Sequence, residues 1–492
     1  MNNETSRHEG GSLLIIGAGP GGYQAAAYAA KNGLTVTIIE EEHAGGTCLN
    51  CGCIPTKALC HDAENPTDFS AAMARKDAIV SQLRSGVEQL MQMPGIRFVR
   101  GHGSLQADGS VKVQSSDDEE IIKADNIILA TGSRAKLPPI PGIDLPGVVT
   151  STELLTIDHV PARLCIVGAG VIGLELAGVF AAYGSKVTVI EFMKECLPQM
   201  DSDIAKRLRK QLEKRGITFY MGAGVKEIRN VENKEIRNEE NKEIRNEENK
   251  EIRNKDISNS RNFTFSHSLS VIFEQKGKEL SVEADVVLIA TGRKPNTEGL
   301  NLEAAGIATD SRGFIQVDDN YVVEKLNNEE IKNSSNLSFF NSPKVYAIGD
   351  VNGRQMLAHA AEAQAHRVVN HILERKDGLR LDIMPAAVFT TPEVACVGPT
   401  EEQLKAENRD FIVHKATFRA NGRALCIGET EGLVKLITDT DDRLLAAHIM
   451  GPHAADLVQE VTAYITLGAT LQQLRETVHI HPTLSEVLIE VN

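Results

Sequence analysis

The chain alternates short apolar runs with glycine-rich turns, and it does so twice in the same order. Residues 12–16 (SLLII) form an apolar run of strand length that ends on Gly17-Ala18-Gly19-Pro20-Gly21-Gly22, and an alanine-rich stretch continues to Lys31. This predicts strand, tight turn and helix. A second run, 35–39, ends on Glu40. The order then returns: an apolar run at 164–167, Gly168-Ala169-Gly170-Val171-Ile172-Gly173, a helical pattern over 174–183, and a strand at 186–190 ending on Glu191. Further strands are predicted at 127–130 running into Thr131-Gly132-Ser133, at 285–289 running into Ala290-Thr291-Gly292-Arg293, and at 344–348 running into Gly349-Asp350. Met356-Leu357-Ala358-His359 opens a helix, and residues 263–273 and 279–282 read as a hairpin across Lys276-Gly277. From about residue 381 strand and helix patterns alternate without a glycine-rich turn, as in an interface or packing domain.

Strand, glycine turn, helix, and a second strand ending on an acid make the pattern of a dinucleotide-binding βαβ unit. Gly17 and Gly168 permit the tight turn, Gly19 and Gly170 let backbone approach a pyrophosphate, and Gly22 and Gly173 let helix pack on sheet. Glu40 and Glu191 can each accept from a ribose hydroxyl. A carboxylate at Glu191 suits a free 2′-hydroxyl and repels a 2′-phosphate, and only Lys194 follows closely, so the second site is expected to take NAD rather than NADP. The fold class is α/β, with two nucleotide-binding domains of Rossmann type and a C-terminal α+β domain.

An octapeptide interrupts the second unit: KEIRNVEN, KEIRNEEN, KEIRNEEN, KEIRNKDI from Lys226 onwards. Ile228, Ile236, Ile244 and Ile252 step about 80° around a helix axis at each copy, so no apolar stripe forms. From Lys226 to Lys255 its nine basic and nine acidic residues cancel. A solvated insertion is expected there, over about 226–262, and a second polar one at 324–341.

Composition narrows the partners. Asp and Glu number 67 against 52 Lys and Arg, a formal charge of -15, which disfavours nucleic acid or an anionic membrane surface. No apolar run reaches the roughly 18 residues of a spanning helix. Eight cysteines in 492 residues, with no charged-then-apolar leader over residues 1–11, argue against a secreted disulfide framework and predict a cytoplasmic protein.

The chemistry concentrates at 45–57, GGTCLNCGCIPTK. Cys48 and Cys53 are five apart, roughly 8.6 Å between Cα atoms on an ideal helix, beyond the about 7 Å that a disulfide spans. A bond between them requires a distorted helix entry at Cys48, which Gly45 and Gly46 would allow, and a helix N-terminus there would favour a thiolate. Cys51 forms a CxxC with Cys48, so a thioredoxin-type motif is an alternative, as is a zinc set of Cys48, Cys51, Cys53, Cys60 and His61. No second ligand pair follows. Cys165, Cys196, Cys396 and Cys426 stand alone and are expected to be buried packing residues. In the closing segment His481 precedes Glu486 by five residues, a spacing that allows an imidazole-carboxylate pair able to act as a base.

These motifs, GAGPGGY, GGTCLNxGCIPTK, GAGVIGLE, ATGR, AIGD, MLAH and HPTLSE, resemble those of the flavin-dependent pyridine nucleotide-disulfide oxidoreductases, in family order over nearly the whole chain. The resemblance implies FAD on the first glycine turn, NAD on the second, and a homodimer. It implies domains at 1–152 (FAD), 153–282 (NAD), 283–380 (completing the FAD site) and 381–492 (dimerisation). By the same resemblance Cys48 is the exchanging sulfur and Cys53 the one facing flavin, while His481 and Glu486 are the base and its orienting carboxylate, reaching the partner subunit's disulfide. Cofactor contacts are implied for Thr47, Lys57, Gly103, Thr131, Gly132, Ser133, Asp350, Met356 and Ala358, and for Glu175, Val225 and Gly292. The implied reaction is oxidation of a dihydrolipoyl dithiol with reduction of NAD, served to lipoyl-bearing domains of 2-oxo acid dehydrogenase or glycine cleavage complexes. Glutathione-type and mercuric reductases are the rivals, the first opposed by Glu191 and the second by the lack of any cysteine after Cys426. Cys51 departs from the family's usual aliphatic residue, which leaves open which sulfurs pair.

Overall fold

The computed structural model describes residues 11–116, 118–231, 268–325 and 343–492, which fall into two compact units. One contains the chain up to Lys136, Gln199–Ile204 and the chain from Gly292; the other contains Leu137–Pro198 and Ala205–Thr291.

In the first unit β1 (Ser12–Ile16), β2 (Thr35–Glu40) and β3 (Ile96–Arg100) join Asn126–Leu129 and Lys344–Ala347 in a parallel sheet ordered Lys344–Ala347, Asn126–Leu129, β1, β2, β3. Parallel strands are covered on both faces and so read as continuous apolar runs, which is why Leu13, Leu14, Ile15 and Ile16 are all buried. Helix α1 (Pro20–Lys31) lies against the helix Ala358–Ile372. An antiparallel meander, His102–Leu105, Val111–Gln114 and Glu119–Ile122, adjoins the sheet.

The second unit repeats this plan: a parallel sheet ordered Thr218–Met221, Lys186–Glu191, Arg163–Val167, Val286–Ile289, Val148–Val149, and a meander of Ala223–Asn230, Leu269–Gln275 and Lys278–Ala284. The likeness extends to single bonds. Ser12 N donates to Asp125 Oδ2 at 2.7 Å, and Arg163 N donates to Asp285 Oδ2 at 2.8 Å. The hairpin turns at Lys276-Gly277, both at positive φ (52° and 75°), as a two-residue turn matched to strand twist requires.

The octapeptide starts inside this meander. Lys226 to Asn230 belong to the strand Ala223–Asn230, and Ile228 is buried in the core of the unit, which corrects the expectation of a solvated stretch from Lys226. Pairing with Leu269–Gln275 and burial of Ile228 outweigh the polar composition of the copy. The remaining copies, and all but the first two residues of the second polar segment, lie outside the described residues.

The C-terminal domain is an antiparallel sheet ordered Ala386–Val388, Glu393–Val397, Leu444–Gly451, Leu433–Thr438, Ile412–Ala416. One face packs Val434, Leu436, Ala447 and Ile449 against residues of the helices Ala454–Thr466 and Leu471–Glu476. The other face carries Lys435, fully buried, whose Nζ lies 2.7 Å from Asp201 Oδ2 and 3.1 Å from Glu401 Oε2. Asp201 is itself buried, so the Lys435 charge is paired out of water, with Glu401 at the edge of the cluster as a second carboxylate.

Among the described residues no helix is long and apolar enough to cross a membrane.

Three substitutions test this account by thermal or urea unfolding. A Cβ at Gly22 would stand 1.9 Å from Gly17 O, whereas one at Gly178, in the middle of the helix Val171–Ala182, meets nothing within 4 Å. Gly22→Ala should therefore destabilise by at least about 1–3 kcal/mol, and Gly178→Ala should stabilise by about 0.5–1 kcal/mol. Lys435→Ala should cost about 3–5 kcal/mol, since it strands the Asp201 carboxylate.

Candidate active site

The two glycine turns are held by one device. Gly17 N donates to Ile39 O (2.8 Å), and Gly168 N to Ile190 O (2.9 Å). Gly17 and Gly168 have φ of +102° and +111°, and a Cβ on either would meet a backbone oxygen, Ala130 O at 2.5 Å or Ala290 O at 2.4 Å. Helix α1 and the helix Val171–Ala182 begin at Gly19 and Gly170 with no side-chain cap. A Cβ on Gly19 would meet only Gly46 Cα, at 3.9 Å, and one on Gly170 nothing within 4 Å. Each first turn thus offers uncapped N–H groups to an open space that a side chain would fill, which fits a dinucleotide pyrophosphate.

Glu40 and Glu191 do something the sequence did not announce. Glu40 accepts from Ala18 N (2.7 Å) and Glu42 N (2.9 Å), and Glu191 from Ala169 N (2.6 Å) and Met193 N (2.7 Å). Both oxygens of each carboxylate already bind the chain's own backbone, so these acids first fix the turns. Burial pushes the Glu40 carboxyl above its ordinary range, against the two N–H bonds that favour its charge.

The sulfur pair sits where a helix breaks. Helix α2 (Gly46–Cys51) is entered through Gly45 at φ +98°, and Gly46 has φ +57°. Gly52, at φ -138° and ψ -113°, then separates it from α3 (Cys53–Asp62). The glycine entry expected at Gly45 and Gly46 is present, but the distortion that brings Cys53 to Cys48 is at Gly52. A Cβ there would stand 2.8 Å from Thr47 O and 3.3 Å from Cys48 Cα. The Cys48 and Cys53 thiols share a hydrogen bond. That bond, burial and the neighbouring Cys53 and Glu362 push the Cys48 thiol up, and Lys57 opposes them. Cys48 lies in the first turn of α2, and Cys53 opens α3. Lys57, one turn further along α3, places its Nζ 5.1 Å from the centroid of the Phe389 ring.

Around the first turn, Thr131 Oγ1 donates to Asn296 O (2.7 Å), and Gly132 has φ +69°. Ser133 Oγ donates to Asp350 Oδ2 and accepts from Arg293 Nε at 2.6 Å. Asp350 is thus fixed at the end of the strand Lys344–Ala347 by two groups from elsewhere in the chain. Beside it, Gln364 Oε1 accepts from Gly349 N (2.8 Å) and Asn352 Nδ2 (2.9 Å) in a buried cluster. Met356 is exposed and Ala358 opens the helix Ala358–Ile372. Gly103 faces Ile16, where a Cβ would lie 3.2 Å from Cγ2, so its visible role is to let the meander close on β1. In the second unit Glu175 is buried in the helix Val171–Ala182, and Val225 stands at a register shift of the meander. Gly292 has φ +118° and open space beside it.

At the C-terminus His481 Nδ1 lies 2.8 Å from Glu486 Oε1, and Thr483 N donates to Glu486 Oε2 at 2.8 Å. Thr483 first and His481 second hold the Glu486 carboxyl below the usual carboxylate range. The imidazole is 78 % exposed, so its Nε2 edge is open to a reactant. Val478 and Ile480, on the same segment, are 95 % and 79 % exposed, an apolar surface suited to a subunit interface. Neighbouring His479 is instead buried, bonded to Glu460 Oε1 at 2.8 Å, which removes it from contention as a base.

The expectation that the four solitary cysteines are buried divides, and Cys396 is only half-buried. Cys165 and Cys196 are buried packing residues, but Cys426 is exposed at the end of a six-residue helix, Gly422–Ile427. Among the described residues no group of three or more His, Cys, Asp or Glu is placed to hold a metal ion. Gly52, Glu362 and Arg293 are the site components that motif reading passed over or left without a partner; the signal for Gly52 was its place between two cysteines that a straight helix keeps apart.

Comparison with known proteins agrees with this geometry. Residues 11–365 match the model for pyridine nucleotide-disulphide oxidoreductases, and residues 384–491 match the dimerisation domain of the same family. Dihydrolipoyl dehydrogenase 1 of Arabidopsis thaliana mitochondria is 36% identical over 97% of this chain and 89% of its own. Dihydrolipoyl dehydrogenase 3 of Pseudomonas putida is 35% identical over 97% of this chain and 96% of its own. The structure of the HOCl-induced flavoprotein disulfide reductase RclA from Escherichia coli superposes with a TM-score of 0.80 at 31% identity, covering 98% of this chain and 99% of the other. With uncapped helix starts for two nucleotides, adjoining sulfurs at a helix break and a dimerisation domain, the chain belongs to the class I pyridine nucleotide-disulphide oxidoreductases and is a flavoprotein disulfide reductase, with the FAD and NAD(P) sites and the homodimer of that family.

Proposed function

We propose that the chain oxidises dihydrolipoyl dithiols to lipoyl disulfides and reduces NAD. The observation that carries this reading is the His481–Glu486 pair, bonded at 2.8 Å with the far edge of the imidazole exposed. A dithiol near pKa 8.5 is mostly protonated at neutral pH and needs a base to become nucleophilic. The exposed imidazole edge of His481 offers the reactant such a base. Relatives named for dihydrolipoyl oxidation at 35 to 36% identity support the same substrate.

In this reading His481 takes a proton from one substrate thiol, and the resulting thiolate attacks Cys48 of the partner subunit's Cys48–Cys53 disulfide. The sulfur-sulfur bond moves to the mixed disulfide and Cys53 leaves as thiolate. The second substrate thiol then displaces Cys48, which leaves the enzyme with two reduced sulfurs and the substrate with a closed disulfide. FAD, when bound, carries the electron pair from the dithiol to the nicotinamide as hydride. Glu486 holds the imidazole by Nδ1 and stabilises its protonated form, while Lys57 steadies negative charge on Cys48. Gly17, Gly19 and Gly22 would hold the FAD pyrophosphate, with Asp350, fixed by Ser133 and Arg293, toward its hydroxyls. Gly168, Gly170 and Gly173 would hold that of NAD, with Glu191 excluding a 2′-phosphate. Lipoyl-bearing domains of 2-oxo acid dehydrogenase or glycine cleavage complexes are the partners this chemistry serves.

Steady-state assays of the purified holoenzyme with dihydrolipoamide and NAD, and with oxidised glutathione and NADPH, decide between this and a glutathione-type reductase: turnover is expected with the first pair only, and preference for the second would overturn the proposal. His481→Gln should lower dihydrolipoamide turnover by about 10²–10⁴-fold while bound flavin is kept. Glu486 has a depressed pKa, so the stability it contributes is present above the ordinary carboxylate range and is lost as pH falls through its folded value. The gap in Tm between wild type and Glu486→Gln should therefore be greatest near neutrality and close as the pH is lowered toward 3.

A further inference from the structure

We propose that Cys51 is a third redox-active sulfur, able to take the disulfide from Cys53 by exchange at Cys48. The proposal rests on the reading of Cys48 and Cys53 as a working disulfide. Cys48 and Cys51 lie on one helix, α2 (Gly46–Cys51), three residues apart. Residues at that spacing share a face with Cα atoms about 5 Å apart, inside the range of about 4.4–6.8 Å that disulfides occupy. Cys53 lies beyond the break at Gly52 and reaches Cys48 from the other side, close enough for the two thiols to share a hydrogen bond. Cys48 is thus flanked by two sulfurs, one along its own helix and one across the break. Cys51 is only partly buried, so reagent and proton can reach it.

The exchange needs no outside oxidant. Cys51 gives up its proton and attacks Cys48; the Cys48–Cys51 bond forms as the Cys48–Cys53 bond breaks, and Cys53 leaves as a thiolate that takes the proton. The number of disulfides is unchanged. The consequence is a second oxidised form in which Cys48 is bonded within α2 and Cys53, at the start of α3, is reduced. Substrate exchange at Cys48 then expels Cys51 instead of Cys53, so the incoming electron pair is held by a sulfur at the end of α2 and not by the one at the start of α3. Return to the working form requires the reverse exchange.

The three cysteines share one tryptic peptide, residues 32–57, with no other cysteine. Oxidised holoenzyme quenched in acid, unfolded, alkylated and digested reports the pairing by the number and position of labels on this peptide. One label, found on Cys51 in part of the molecules and on Cys53 in the rest, is the expected result. Cys53→Ser treated with oxidised lipoamide should form the Cys48–Cys51 bond, Cys48 opening the lipoyl disulfide and Cys51 then displacing the reduced dithiol, which leaves this peptide with no label. One label always on Cys51 in wild type, together with two labels in Cys53→Ser, would overturn the third-sulfur proposal and leave the Cys48–Cys53 reading standing. Three labels in the oxidised wild type would overturn both.

Discussion

The seam between strand, turn and helix at Gly17 and Gly168 is the constraint from which the rest of the architecture follows. At both places the helix starts so close to the preceding strand that a Cβ on Gly22 or Gly173 would run into the carbonyl of Gly17 or Gly168, at 1.9 and 2.2 Å. The closeness aims the first-turn N–H groups outward, and a carboxylate from the neighbouring strand ties the loop down by two backbone donors. An anion site built this way needs no charged side chain, because the uncapped helix start supplies the field. The repeat of the device, bond for bond, in two compact units gives one chain two nucleotide sites.

The redox pair depends on a different use of the same residue type. A straight helix would hold Cys48 and Cys53 too far apart to bond, and Gly52 supplies both the break and the room for Thr47 O and Cys48 to come close. The arrangement pushes the Cys48 thiol up, through its hydrogen bond to Cys53 first and burial second, while Lys57 opposes the rise. His481 sits on an exposed segment beside a carboxylate that Thr483 N and the imidazole hold below the usual carboxylate range.

Charged groups away from the sites are handled by pairing. Lys435 enters the core of the C-terminal domain only because Asp201 and Glu401 enter with it, and Arg163 ties the start of its strand to Asp285 and Glu283. Such clusters add little net energy over apolar packing, but removing one member leaves a charge without its partner.

The sequence by itself determined the class of the fold, the two nucleotide turns, the sulfur pair and the terminal base, because each is a local pattern: glycines at fixed offsets, an acid at the end of the next strand, two cysteines, a histidine five before a glutamate. The hairpin at Lys276-Gly277 was legible for the same reason. The tertiary structure alone decided what depends on distant neighbours. It turned Glu40 and Glu191 toward their own turns, and drew the first octapeptide copy into a strand through Ile228. It left Cys426 exposed while Cys165 and Cys196 were buried, and it gave the helix break to Gly52. In each case the outcome rests on the space and donors that another part of the chain provides, which no window of neighbouring residues contains.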